Sequence, residues 1–405
     1  MAVVGAGAAG LVAAAFAASA GRRVTLIERT KDGGRKILIS GGGRCNVLPS
    51  VAAPDRFVTD SPPHLLRAML RAWPLHEQRA FMERDLGIPL KLEEESGKLF
   101  PRSDRAADVR DGLVQHARSR GVTLQFNTTV TGLHVAGTGF VLDTSAGPLE
   151  CGRVVLAAGG LSVPNTGSDG TGLRIAKELG IDLIEPYPAL TPLLADGAPE
   201  RGALRSSPHG HLSGVSLTVR LRAKPGAGDI ETHGGFLFTH RGYSGPSVLD
   251  ISHVTARGET PVIRAQWSSL NQNDWREAFS EPSAAVSSIL GRHLPDRLAT
   301  RLMAECGVPN DRRTSALTRA EREALSAALT AYPLPWTGNE GYRKAEVTGG
   351  GVALWEVEPR TLESRRVPGL FLCGEILDAF GPIGGHNFSW AWATGRAAGI
   401  AAGRR

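Results

Sequence analysis

The chain opens on three apolar residues, Ala2-Val3-Val4, then a glycine-punctuated turn, then an alanine-rich run from Leu11 to Ala20 that stops at Gly21. That order predicts a short buried strand, a tight turn and a helix. The apolar stretch Val24 to Ile27 predicts a second strand, closing on Glu28. Leu66, Met69 and Leu70 recur at helical spacing in a helix predicted over 65–86 and broken at Pro74. Short apolar runs predict strands over 122–126, 140–142 and 153–156. After Pro186 the rhythm changes. Val215, Leu217, Val219 and Leu221 alternate with polar residues, as in a half-buried strand, and 236–238 and 262–265 carry the β-rich character to about Leu270. From Asp274 to Tyr332 the period becomes helical. Thr318 and Glu321 have capping-box spacing there, and Leu325, Leu329 and Tyr332 give one apolar face. Glycine-rich loops and strands return from Gly341, and 388–402 predicts a last helix.

This order belongs to the α/β class. It predicts a Rossmann-like nucleotide-binding domain drawn from both chain ends, 1–190 and 341–405, interrupted by a β-rich insert at 191–270 and a helical insert at 271–340. A length of 405 residues exceeds one ordinary core, and 41% hydrophobic with 21% charged residues is normal for a soluble globular enzyme. The net charge of +6 suits phosphate-bearing molecules and leaves nucleic acid open. Cys45, Cys151, Cys306 and Cys373 are widely separated, with no zinc spacing and no disulfide framework. No metal site is expected, and a reducing cytoplasm is. Ala2 to Ala20 is apolar enough to imitate a secretion signal. No positive segment precedes it, however, and three glycines interrupt it. No later stretch predicts a membrane span, and no signal points to an oligomeric state.

Gly5-Ala6-Gly7-Ala8-Ala9-Gly10 follows the first strand, opens the helix, and has Glu28 eighteen positions after its last glycine. Gly5 permits the turn, Gly7 leaves room for a pyrophosphate on the positive helix end beside Ala8 and Ala9, and Gly10 lets helix and strand pack closely. Glu28, with Arg29 beside it, would accept from a ribose hydroxyl, which favours FAD or NAD over NADP. The segment from Arg35 to Asn46 favours FAD. Ser40-Gly41-Gly42-Gly43-Arg44 offers a backbone nest for an anion or a flat ring, with Lys36 and Arg44 supplying positive charge and Cys45 and Asn46 following. A glycine hinge with solvated basic residues is the plainer alternative.

A buried strand running into Ala157, Ala158, Gly159 and Gly160 suits a second backbone pass near the cofactor. Near the end, a strand carries Gly374 and Glu375 at its tip, where the carboxylate would accept from the flavin ribityl chain. Gly385, His386, Asn387 and Phe388 start the last helix, whose dipole would stabilise an anionic reduced flavin. No second G-x-G-x-x-G follows a strand, so NAD(P)H is expected only as a transient visitor.

With these residues in view, the segments 39–46, 235–251, 347–351 and 369–395, together with 95–102, resemble the BaiN/YhiN-like flavoprotein family across essentially the whole chain. Ser-Gly-Gly-Gly-Arg-Cys-Asn and the Thr239–Pro246 motif Thr-His-x-Gly-x-Ser-Gly-Pro are the most specific matches. The resemblance implies a glutathione-reductase-like FAD domain interrupted by a β-barrel-like insert and a small helical insert. It implies FAD contacts at Ala8, Glu28, Arg44, Cys45, Val130, Glu375, Asn387 and Phe388. It also implies hydride delivery from reduced flavin to an electron-poor C=C bond. Candidate proton donors or carbonyl-polarising groups are His240, Tyr243 and Ser244 on the insert and Cys45 and His386 beside the flavin. For Cys45 and His240 a packing role is the plain alternative. Three functions follow: an NAD(P)H-dependent reductase of a small activated alkene, a flavoenzyme acting on ribosomal RNA, and a non-catalytic flavin-bound interaction protein. Arg312, Arg313, Arg319 and Arg322 on the helical insert would serve the second, and a solvated helix face accounts for them nearly as well.

Overall fold

Ala2-Val3-Val4 is apolar throughout because its strand is covered on both faces. In the computed structural model, which describes residues 1–195, 207–224, 228–257, 260–281 and 283–404, this strand is the centre of a five-stranded sheet. Its strands are β1 (Ala2–Val4), β2 (Thr25–Ile27), β3 (Thr123–Gln125), β4 (Val154–Leu156) and β5 (Leu370–Leu372), in the order β5-β4-β1-β2-β3 and all parallel. Val4 pairs with both Ile27 and Leu156, and Leu156 pairs with Leu372. The segments leaving β1, β2, β4 and β5 therefore emerge at one carboxyl edge, where sheets of this kind bind ligands.

Two helices without a polar face pack against this sheet. The first, α1 (Ala8–Ser19), is buried at almost every position from Ala9 to Ala17. The second, α2 (His386–Gly403), carries Gly395, Gly399 and Gly403 at four-residue spacing. A Cβ on Gly395 would stand 2.5 Å from the Ala9 carbonyl oxygen, and one on Gly399 would stand 2.4 Å from that of Ala13. Residues four apart lie on one helix face. The glycine row of α2 therefore meets the alanine row of α1 backbone to backbone. The helix predicted over 65–86 divides at Pro74 into Pro63–Arg71 and Leu75–Ala80, followed by a wider turn at Phe81–Asp85.

The chain falls into two compact units, Met1–Pro188 with Glu346–Arg405, and Ala189–Ala345. The second unit is built on a seven-stranded sheet with Arg264–Gln266, Ser216–Ala223, Ile230–Phe238 and Gly242–Ser244 in consecutive positions. Its helices include Gln272–Ala278, Val286–Gly291, Asp296–Glu305 and Arg319–Thr330. The capping box is formed: Glu321 N–H donates to Thr318 Oγ1 at 3.2 Å, and Thr318 N–H to a Glu321 carboxylate oxygen at 2.8 Å. Inward strand residues Val219, Leu221, Phe236 and Phe238 share one core with Trp275, Leu298, Leu302, Leu325 and Leu329 from the helices. The β-rich and helical segments of the insert are thus one packed body.

Candidate flavin-binding site

The turn after β1 separates the three glycine roles. Gly5 holds φ +98°, and a Cβ there would lie 2.5 Å from the Ala157 oxygen; on Gly10 it would lie 1.9 Å from the Gly5 oxygen. A Cβ on Gly7 would meet nothing within 4 Å. Gly5 and Gly10 are fixed by protein packing, whereas Gly7 borders open space at the α1 N-terminus. No side chain caps that terminus, so its first-turn N–H groups are left for an anion. Glu28 is fixed beside it. One carboxylate oxygen accepts from Ala6 N–H and the other from Thr30 N–H, both at 2.8 Å. The Glu28 carbonyl accepts from Thr128 N–H at 2.9 Å, near the buried Val130. Glu28→Ala is expected to weaken FAD binding roughly tenfold or more, since a charge-assisted hydrogen bond contributes about 1.5–3 kcal/mol. Fluorescence titration of the apoprotein with FAD checks this, and an unchanged affinity would remove Glu28 from the ribose. Arg29, expected at the cofactor, forms an ion pair with Asp169.

At the tip of β5, Glu375 is the centre of a polar cluster. Lys36 Nζ donates to Glu375 at 2.6 Å and to Ser162 Oγ at 2.7 Å. Ser162 Oγ and Thr348 N–H both donate to the other Glu375 oxygen, at 2.5 and 3.0 Å. Lys36 is therefore paired with Glu375. Ser162 and Thr348 were missed as site residues, and the only signal for Thr348 is its place in Val347-Thr348-Gly349-Gly350. The Thr348 hydroxyl accepts from Leu161 N–H at 2.7 Å, which holds the loop leaving Ala157 and Gly159. Gly374 is held by Thr394 Oγ1, which accepts from its N–H at 3.0 Å, and by Trp390 Nε1, which donates to its carbonyl at 3.1 Å. Asp378, three residues after Glu375, accepts through one oxygen from Asp60 N–H, Ser61 N–H and the Thr59 and Ser61 hydroxyls at 2.8–3.0 Å. It anchors the segment after β5 to the turn at 59–61.

The glycine segment forms a short helix, Arg35–Ile39, and a tight turn, Ser40–Gly43, in which Gly41 and Gly42 are left-handed. Ser40 Oγ donates to the Ile37 carbonyl at 2.7 Å. Arg44, the cation expected to serve this turn, has carboxylate partners of its own. Its guanidinium pairs with Glu93 at 3.1 Å and Asp104 at 3.0 Å and lies 4.0 Å from the centre of the Phe100 ring, so its charge is used locally. Cys45 is fully buried, and burial pushes its thiol up to about 12, so it holds its proton at neutral pH. Asn46 is 8% exposed, and its side-chain oxygen has no hydrogen-bond partner. A buried carbonyl of this kind costs free energy until a donor reaches it.

Gly385, with φ +88°, begins α2 without a side-chain cap. The Asn387 amide closes on the Gly381 backbone with two bonds of 2.9 Å. Phe388 stacks on Trp392, centroids 5.3 Å apart. The His386 ring packs edge-on to Phe57, and burial lowers its pKa to about 4. The native state then binds fewer protons than the unfolded chain between about pH 6.5 and 4, so stability is lost as pH falls through that window. Denaturant titrations should show a smaller loss from pH 7 to 4.5 in His386→Gln than in the wild type; equal losses would place the proton uptake elsewhere.

On the second unit the motif residues differ in character. His240 is exposed. Tyr243 is buried, its hydroxyl 2.8 Å from His209 Nδ1, and burial raises its pKa. His209 Nε2 lies 3.1 Å from the Tyr332 hydroxyl and 3.4 Å from Glu305, and burial lowers the histidine's pKa. As a proton source Tyr243 is thus enclosed within a core network, and no sequence signal marked His209. The four helical-insert arginines are also engaged. Arg312 pairs with Glu321, Arg319 with Glu323, Arg313 donates to the Ser283 carbonyl, and Arg322 donates to those of Phe279 and Thr314. Arg312, Arg313 and Arg322 are thereby held within the segment, and Arg319 lies exposed beside the exposed Glu323.

Three features fit FAD: the open space at Gly7, two helix N-termini without side-chain caps, and the buried unpaired oxygen of Asn46. No helix among the described residues is long and apolar enough to cross a membrane. Comparison with known proteins agrees. The chain is 36% identical over 97% of its length, and 95% of the other, to a ribosomal RNA dihydrouridine synthase of Escherichia coli. It is 32% identical over 100% of its length, and 98% of the other, to a 3-dehydro-bile acid delta(4,6)-reductase of Clostridium scindens. The 3-ketosteroid delta1-dehydrogenase of Sterolibacterium denitrificans shares the fold, with TM-score 0.51 at 13% identity, 99% of this chain and 98% of that one being covered. The family model described as HI0933-like protein Rossmann domain matches residues 1–401, and the chain belongs to that family of FAD-dependent oxidoreductases.

Proposed function

We propose that this enzyme reduces the activated C=C bond of a uracil ring in ribosomal RNA, giving dihydrouridine. The observation that carries the reading is the relative of that name, matched over 97% of the chain and so in both units. FAD, when bound, would supply the hydride for the carbon β to a ring carbonyl, with NAD(P)H as its transient source; the adjacent carbon takes a proton.

The chain's own residues bind and exclude more than they titrate. The α1 N-terminus and the Gly7 space would take the pyrophosphate, Glu28 the ribose, and Glu375, held by Lys36, would accept from the ribityl hydroxyls. Asn46 offers an acceptor to a ring N–H. The α2 N-terminus presents N–H groups and a positive dipole end to negative charge on the reduced ring. Because Cys45 and His386 keep their neutral forms at pH 7, neither is a strong acid, though a neutral His386 ring still has an N–H to polarise a carbonyl. His240, exposed on the second unit, and the half-buried Ser244 are the other candidate proton donors.

Mass spectrometry of ribosomal RNA from a deletion strain tests this reading. One reduced uridine should be missing and should return with the wild-type gene. An unchanged modification profile would favour a small conjugated ketone as substrate, the reading supported by the bile-acid reductase relative, and NADH oxidation by the purified enzyme on addition of an enone would then identify it.

A further inference from the structure

Strand Ser216–Ala223 alternates strictly. Val219, Leu221 and Ala223 point into the core, which turns Arg220 and Arg222 to the other face. Its neighbour Arg264–Gln266 pairs with it in antiparallel register, so Arg264 stands directly opposite Arg222. On the other side, Ile230–Phe238 sets His233 opposite Arg220 and Glu231 opposite Arg222. Directly opposed residues have Cβ atoms about 4.5–5.5 Å apart, and like charges so placed repel. One carboxylate serves this group: Glu231 lies 3.3 Å from Arg220 and 2.7 Å from Arg222. Arg264 is exposed and has no carboxylate partner among the described residues. Among the described residues, three guanidinium groups and a histidine thus share this face with one acid paired to it, Glu231.

We infer that this sheet face binds the phosphodiester backbone of the RNA substrate. The inference rests on the RNA reading above. Arg312, Arg313 and Arg322 of the helical insert are held by acceptors of their own segment. Here, by contrast, Arg220 and Arg222 share the one carboxylate of Glu231, and Arg264, opposite Arg222, has no carboxylate partner among the described residues. A guanidinium fork matches phosphate oxygens bidentately. Phosphates spaced along a strand would bridge Arg222 and Arg264 and then Arg220 without reading bases, so the face would contribute affinity and register rather than sequence choice.

The FAD-loaded enzyme is titrated with protein-free ribosomal RNA transcribed in vitro, at several salt concentrations. For R220Q/R222Q/R264Q we expect binding at least about tenfold weaker and a log–log salt slope shallower by about 2–3, near one phosphate per arginine. FAD content should be unchanged. The triple lysine variant should keep most of the slope. Glu231→Gln, which removes the competing carboxylate, should bind RNA more tightly, a gain that damaged folding cannot imitate. Wild-type affinity and slope in the glutamine variant, in an enzyme that still reduces uridine, would overturn this inference alone. A wild-type enzyme that neither binds nor reduces RNA would overturn the RNA reading and this face with it.

Discussion

Gly7→Val is expected to give a folded protein that has lost its flavin colour. The backbone at Gly7 is extended, φ −77° and ψ −172°, so any residue adopts it, and a Cβ there meets no protein atom within 4 Å. Valine therefore costs the protein little and fills the space in front of the α1 N-terminus. Filling a close-packed contact costs about 1–3 kcal/mol, so FAD should bind roughly 10- to 100-fold more weakly. Gly10→Val makes the contrast. Its Cβ would stand 1.9 Å from the Gly5 carbonyl oxygen, an overlap that no rotamer relieves, and soluble folded protein should be lost. Absorbance at the flavin band with circular dichroism on both variants decides it. A yellow Gly7→Val protein with wild-type FAD affinity would mean that no cofactor passes this turn.

Gly399→Leu is expected to have the largest effect on stability away from the cofactor. The added Cβ would lie 2.4 Å from the Ala13 carbonyl oxygen, and Gly395→Leu would strike Ala9 in the same way at 2.5 Å. Because backbone rather than a movable side chain is struck, α2 must lift from α1. A loss of about 3 kcal/mol or more follows, and the transition of the first unit should fall by roughly 6–12 °C. Lifting α2 also moves Gly385 and Gly374 away from the glycine turn, so FAD should be lost together with stability. Calorimetry and flavin content on the same sample separate the outcomes. A shift of less than about 1 kcal/mol would show that the helices do not meet along this seam.

Much of the site's dinucleotide half was legible in the residues. Strand, turn, helix and acidic strand end lie within the first twenty-eight positions, and each follows from a local rule: apolar run, glycine spacing, helix start. The Thr318–Glu321 cap was legible for the same reason, since its partners are three residues apart. The alternation of Val215 to Leu221 placed one strand face inward before any partner strand was known.

Electrostatic partners were another matter. Nothing near Arg44 in the sequence announces Glu93 and Asp104, and nothing near Lys36 announces Glu375, 339 positions away. Arg312, Arg313, Arg319 and Arg322 look like a basic patch along the chain, yet each finds an acceptor inside the unit. The reverse holds for Arg264, which is distant in sequence from Arg220 and Arg222 and is made their neighbour by strand register alone. His209 gave no signal because its role is set entirely by what surrounds it. The sequence by itself determined where backbone approaches a ligand, because glycine spacing and helix ends act within a few residues. Which charges are spent within the protein and which remain for a ligand was decided only by the tertiary structure, because charge pairing depends on distance in space and the fold alone sets that distance.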